Sequence, residues 1–255
     1  KYNGICGYKK EDIENHFQNY IKELAMEYNK TEIEILDDIK IWYNGYSWDS
    51  NEFLYNPFSV LNLFEAKTFS NYWFKSGSPT FLLKLIRIKN YDLTKVEKIE
   101  VADDTFDKYN IENISVIALL FQTGYLTIKK RVKSTQGTIY TLDYPNLEVK
   151  KSLLEHLISE YSGEANGAKS ILINQLRNNL INKEFDDFIE TLKSLFAGLV
   201  YETQINNEDF YSSIMYMILS LCGIYGSFEP MTNKGRLDCA IELEKIIYII
   251  EFKIN

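Results

Sequence analysis

The nine residues IIYIIEFKI, Ile246 to Ile254, constrain the fold more than any other stretch of this 255-residue chain. The run is β-branched and apolar until Glu251 and Lys253 interrupt it, and it reads as a strand. Residues two apart on a strand share a face, so Glu251 and Lys253 project together about 6 to 7 Å apart, while Phe252 points into the opposite layer. The preceding rhythm, GSFEPMTNKGRLDCAIELEK, gives a partner strand joined through a tight turn at Glu244-Lys245. A hairpin centred there brings Asp238 near Glu251 across the ladder. Two carboxylates about 4 Å apart repel by roughly 4 kcal/mol at an effective dielectric of ~20, which calls for a cation or a raised pKa. Oxygen ligands favour Mg²⁺ or Mn²⁺. A metal held by Asp238, Glu251 and a main-chain carbonyl would polarise a phosphoryl group, with Lys253 acting on the attacking water and on the developing charge. The alternative is a mixed strand whose Glu and Lys face water and pair with neighbours.

The helix before this hairpin begins near Asn207 and carries Glu208 close to its N-terminal end. It places Phe210, Ile214, Met217, Ile218 and Leu221 on one stripe, with Asn206 or Asn207 as cap and Gly223 as stop. Its methionines read as core. Earlier helices are expected over about 168 to 180 and 183 to 199.

In the first half, residues 9 to 28 repeat apolar side chains every three to four residues and predict one amphipathic helix. Asp37 to Trp42 follows, then a turn at Asn44-Gly45, and Asn56-Pro57 opens a short helix with Pro at its first position. The aromatics of 42 to 64 read as packing. Ser78-Pro79 starts another helix, a polar stretch covers about 100 to 110, and Ile111 to Phe121 forms a helix ending at Gly124. From there the period becomes two: YLTIKKRVK, a turn at Gln136-Gly137, TIYTLDYP, then a helix from Leu147 to Tyr161. Helix, hairpin and helix in that order suggest a winged-helix-like element. Lys129, Lys130, Arg131 and Lys133 are the densest basic cluster, suited to a phosphate backbone or simply to the solvated face of an edge strand.

Composition bounds these readings. A chain with 45% hydrophobic and 25% charged residues can bury a substantial core. The longest apolar run near its end falls far short of a bilayer span, no apolar signal core opens it, and no membrane association is expected. The net charge of −8 argues against general coating of nucleic acid while allowing a local basic groove. Cys6, Cys222 and Cys239 form no CxxC pair and read as core thiols in a reducing compartment. His16 and His156 are too far apart in sequence to suggest a histidine-rich zinc centre.

Glu208, Glu229, Thr232, Gly235, Arg236, Asp238 and the EFK of 251 to 253 together resemble the PD-(D/E)XK nuclease superfamily domain that follows an AAA-ATPase-like region in bacterial proteins. WYNGYSWD, YNPFSVLNLF and YWFKSGSP resemble the end of that ATPase-like region, so the resemblance covers nearly the whole chain. It implies an α+β chain: a mostly helical ATPase-like tail over 1–110, a winged-helix-like element over 111–165, and a nuclease-like α/β core over 166–255, which stops soon after the ExK strand. It implies Asp238 and Glu251 as metal ligands, Lys253 as catalytic lysine, Glu208 as a supporting carboxylate and Mg²⁺ or Mn²⁺ as cofactor. Arg236 either steers a phosphate or salt-bridges Glu229. No GxxxxGK[ST] occurs, so no ATP binding is expected, and the chain reads as a fragment.

Two functions compete. One is a metal-dependent nuclease acting on nucleic acid, with Arg236, Lys129, Lys130 and Arg131 as substrate contacts. The other is a protein-interaction module of a bacterial effector, which would engage a host partner such as a Rho-family GTPase in the manner of an exchange factor. The first suits the cytoplasm; the second suits secretion into a host cell.

Overall fold

A computed structural model describes residues 4, 6–76, 80–107, 115–162, 166–197, 208–232, 235–243 and 246–251. It is a mixed helix and sheet chain with small antiparallel sheets, as the α+β expectation requires. Two compact units divide it: residues 1–79 with 96–152, and residues 80–95 with 153–255. No helix among the described residues is long and apolar enough to cross a membrane.

The first unit begins with α1 (Lys10–His16) and α2 (Gln18–Tyr28), where the sequence predicts one helix. The break falls at Phe17, whose φ of −117° and ψ of 18° leave the helical basin. Its ring stacks on Phe64 at 4.9 Å and meets Tyr8 at 5.5 Å, so packing overrides periodicity there. Helix α3 (Glu32–Tyr43) starts earlier than Asp37 because Thr31 and Glu34 form a reciprocal capping box. Asn44-Gly45 is not a turn. It enters β1 (Asn44–Tyr46), which pairs with β2 (Leu54–Tyr55). Gly45 has φ +133°, and a Cβ there would stand 1.9 Å from the Pro145 carbonyl oxygen, so glycine is required by close backbone approach. Asn56 caps α4 (Pro57–Ala66) as expected. Ile13, Ile21, Leu24, Ile35, Ile39, Tyr43 and Leu63 form the buried cluster of these helices.

The supposedly polar stretch near 100 contains β3 (Ile99–Ala102), followed by α6 (Asp104–Asp107) and α7 (Val116–Gln122). Ser115 caps α7, and Gly124, at φ +83°, follows it. Strands β4 (Thr127–Ser134) and β5 (Gly137–Asp143) make the expected hairpin, and β3 joins it on the far side of β5 to give the order β3-β5-β4. Helix α8 (Leu147–Ser162) then begins, and its residues from Leu153 onward belong to the second unit.

That unit also contains α5 (Thr80–Ile88). The expected Ser78-Pro79 start lies outside the described residues. Helices α9 (Asn166–Asn182) and α10 (Phe185–Ala197) match the sequence reading within a few residues, and α11 (Glu208–Leu221) carries Ile214, Met215, Met217 and Ile218 fully buried, so its methionines are core. The caps foreseen at Asn206 or Asn207 fall outside the described residues. Gly223, at φ +70°, ends the helix. The sheet that follows has β9 (Cys239–Leu243) between β6 (Gly226–Phe228) and β10 (Ile246–Ile250). A short pair, β7 (Met231–Thr232) and β8 (Gly235–Arg236), extends from it.

Two of the three cysteines are core thiols. Cys222 and Cys239 are buried, but Cys6 is exposed in the turn ahead of α1, outside any element that could cover it.

Candidate active site

Strands β9 and β10 pair Leu243 with Ile246 and, step by step, Cys239 with Ile250. The ladder ends at the Cys239–Ile250 pair, which leaves Asp238 and Glu251 as the next residue beyond it on each strand, at the same end of the sheet. The turn foreseen at Glu244-Lys245 lies outside the described residues, yet the pairing that brackets it is the hairpin the sequence predicts.

Alternation decides the face. Cys239 and Ile241 are fully buried, and Tyr216 of α11 packs edge-on against Phe228 of β6 at 5.9 Å. Ala240, Glu242, Ile247 and Ile249 point the other way, with Ile247 and Ile249 65% and 58% exposed. Continued one residue past the strands, the period of two would put Asp238 and Glu251 on this open face. Glu251 is exposed and Asp238 half-buried. The Cys239 thiol between them in sequence is buried on the other face and its pKa is pushed up to about 12, by burial first and by the Asp238 charge second.

On the other flank, the Glu229 amide donates to the Asp238 carbonyl at 3.0 Å, and Arg236 Nη2 meets Glu229 Oε1 at 2.9 Å. Of the two roles open to Arg236 in the sequence, the ion pair is the one formed. Glu208 opens α11, the helix on the opposite face of the sheet, and its side chain is outside the description, as is the whole of Lys253. The structure therefore brings Asp238, Glu251, Glu229 and Arg236 to one end of the sheet.

Among the described residues no group of three or more His, Cys, Asp or Glu side chains is gathered to hold a metal. Two carboxylates at one end of the sheet nevertheless suit Mg²⁺ or Mn²⁺, because Mg²⁺ typically keeps several waters and takes only one or two carboxylates besides the substrate. Hard oxygen donors without histidine or available thiolate disfavour zinc.

The basic run of the first unit does not form one row. Lys129 turns inward: its ammonium donates to the Pro145 carbonyl at 2.8 Å and lies 5.6 Å from the Phe53 ring centre, and burial pushes its pKa down. A cleft of about 590 Å³ opens beside it, lined also by Lys40, Asn44 and Gly45. Lys130, Arg131 and Lys133 remain exposed, with Arg131 over the Tyr140 ring at 5.5 Å. Sequence reasoning also missed Glu148, a fully buried carboxylate in the first turn of α8 that accepts from the Ser59 hydroxyl and from the amides of Tyr72 and Trp73. No sequence signal marks it, since Glu in a first helical turn is commonplace.

No solved structure matches this chain. An uncharacterized protein in the vnfD 5′ region of Azotobacter chroococcum mcd 1 is 32% identical over 261 residues, an alignment that covers 100% of this chain and 48% of the relative. The chain thus spans about half the length of the curated relative it matches. Residues 206–255, which contain the Asp238–Glu251 hairpin and Lys253, match the model of the PD-(D/E)XK nuclease superfamily.

Proposed function

We propose that the C-terminal part of this chain hydrolyses phosphodiester bonds with a divalent metal, Mg²⁺ or Mn²⁺. The observation that supports this reading is the β9–β10 register, which ends at Cys239–Ile250 with Asp238 and Glu251 next on each strand, within the segment matched by the nuclease superfamily. The two carboxylates would hold the ion, which when bound polarises the phosphoryl group and lowers the pKa of a coordinated water. Lys253, two residues beyond Glu251, would orient the attacking water and offset negative charge developing on the phosphoryl oxygens. Arg236 would contact a backbone phosphate, while Glu208, which opens the helix on the opposite face of the sheet, would act on the carboxylates only indirectly. Nucleic acid is the substrate class, and the chemistry needs no ATP.

Residues 166–255 would be the nuclease-like domain. Over 111–165 a winged-helix-like element is supported by the chain order α7, β4–β5 hairpin, α8, and β3, which lies before those bounds, completes the sheet order β3-β5-β4. In that element Lys130, Arg131 and Lys133 would meet phosphates, while Lys129 holds the base of the hairpin. Residues 1–110 would be the tail of an AAA-ATPase-like region, a reading that rests on the resemblance of its aromatic motifs.

The test is cleavage of supercoiled plasmid and of single-stranded DNA in Mg²⁺ or Mn²⁺, with Lys253→Ala and Asp238→Ala as controls. Cutting by the wild type that both substitutions abolish supports the enzyme, because loss of a transition-state contact costs several kcal/mol. Cutting that survives both assigns the activity elsewhere, and no cutting sinks the reading. A second reading, a non-catalytic protein-interaction module, is favoured by the exposed Ile247 and Ile249 on the same face. Binding of a protein partner unchanged by Asp238→Ala would establish it.

A further inference from the structure

The pairing of the C-terminal hairpin continues past the sheet. Gly226, Ser227 and Phe228 oppose Ile241, Ala240 and Cys239. The Glu229 amide then donates to the Asp238 carbonyl, and the Leu237 amide to the Pro230 carbonyl. Met231 and Thr232 finally oppose Arg236 and Gly235. Every pair keeps one register, so β6–β7 and β8–β9 are two arms of a single long hairpin with a bend at Glu229-Pro230.

At the bend Glu229 has φ +53°, a left-handed conformation that a side chain with a Cβ adopts only where its surroundings hold it there. Two contacts hold it: its amide donates to the Asp238 carbonyl at 3.0 Å, and its carboxylate pairs with Arg236 at 2.9 Å. Arg236 lies two residues from Asp238 in sequence. Its side chain is 55% exposed against 33% for Glu229, so solvent and substrate reach the guanidinium more readily than its partner. A solvent-exposed pair of this kind is weak. A phosphate accepts two parallel hydrogen bonds from guanidinium and competes well for it.

We propose that Glu229 is a positioning residue: it parks Arg236 beside Asp238 and surrenders it to a backbone phosphate of the nucleic acid when substrate arrives. This rests on the nuclease reading for the identity of the phosphate. The carboxylate acts through Arg236 and touches neither metal nor reacting atoms. It aligns the guanidinium before binding and competes with the substrate for it.

The experiment measures binding of a fluorescein-labelled DNA oligonucleotide to the full chain by anisotropy without metal, over a series of salt concentrations, and separately kcat and KM in Mn²⁺. Arg236→Ala should weaken binding about tenfold and lower the slope of log K against log salt by about 0.9, the signature of one lost phosphate contact. Arg236→Lys, which keeps charge and loses the fork, should fall between. Glu229→Gln should tighten binding about threefold by removing the competitor, lower KM, and reduce kcat about tenfold through lost alignment. Glu229→Asn, which tolerates the left-handed backbone, should bind as Glu229→Gln does with an unchanged melting temperature. Weaker binding in both Glu229 variants, or binding and kcat both equal to wild type, overturns the proposal. Failure of the wild type to cut sinks the nuclease reading while anisotropy still judges the exchange. Failure to bind DNA at any salt sinks both.

Discussion

Glu148 shows how much a single residue can settle. Its carboxylate has no exposed surface and accepts from the Ser59 hydroxyl at 2.7 Å, the Tyr72 amide at 2.7 Å and the Trp73 amide at 2.9 Å, tying α4 and the segment before α5 to the start of α8. Glu148→Ala should cost about 3 kcal/mol or more in a urea titration, because three donors lose their acceptor together. Glu148→Gln retains an amide oxygen for the two backbone donors and should cost about 1 kcal/mol. Burial is the largest influence on Glu148 and raises its pKa above the ordinary 4.5, although its donors pull the other way. An acid whose folded pKa is raised binds its proton more tightly folded than unfolded, so the stability it contributes is lost as pH rises from about 4.5 through the folded value. The stability of the wild type relative to Glu148→Gln should therefore fall between pH 5 and pH 7.5; a rise would show that the donors outweigh burial. The thiols give a second check. Cys6 should react with a thiol reagent in the folded protein, while Cys222 and Cys239, buried and both pushed up to about 12, should react only on unfolding. Three fast thiols would contradict the packing of α11 and β9. The core thiols Cys222 and Cys239 were legible in the sequence, but the burial of Glu148 and the exposure of Cys6 were not; Lys129 and Lys130 likewise look alike there, and only the fold turns the first inward to Pro145 and leaves the second in water.

Among elements, legibility followed locality. The β4–β5 hairpin, the Asn56-Pro57 start of α4 and the β9–β10 register each depend on a few neighbouring residues, and each matches the reading of the sequence. The break between α1 and α2 and the extended Gly45 depend on residues far along the chain, Phe64 and Pro145, which no periodicity announces. Glu229 at φ +53° is of the same kind, since a left-handed non-glycine residue has no sequence signature. The Gly45 contact makes a sharp prediction. Gly45→Ala meets the Pro145 carbonyl oxygen at 1.9 Å in a backbone conformation alanine disfavours, and should destabilise the chain by several kcal/mol, whereas Gly137→Ala has the same kind of φ with open space around it and should cost only about 1 kcal/mol. Comparing their urea midpoints separates backbone conformation from collision. Equal losses would mean that Pro145 yields at little cost.

At the scale of the whole molecule, the division into two units and the placement of the tryptophans make metal binding separable from general ionic effects. Trp42, Trp48 and Trp73 all lie in the first unit, while Asp238 and Glu251 lie in the second. A ligand that binds only folded protein stabilises it by about 2.7 kcal/mol at a concentration 100-fold above its Kd. Saturating Mn²⁺ should therefore raise the calorimetric melting temperature of the wild type by several degrees and leave Asp238→Asn unmoved. The net charge of −8 means that any salt relieves some self-repulsion, so the comparison needs NaCl at matched ionic strength, where wild type and variant should respond alike. Tryptophan fluorescence supplies the location. If the units melt separately, Mn²⁺ should shift the calorimetric transition without shifting the fluorescence transition, assigning the ion to the unit that holds the carboxylate pair. A shift common to both signals in the wild type and absent from Asp238→Asn would mean that the units melt cooperatively while the ion still sits at Asp238. An equal shift in wild type and Asp238→Asn would place the ion elsewhere and remove the physical basis for the proposed hydrolysis.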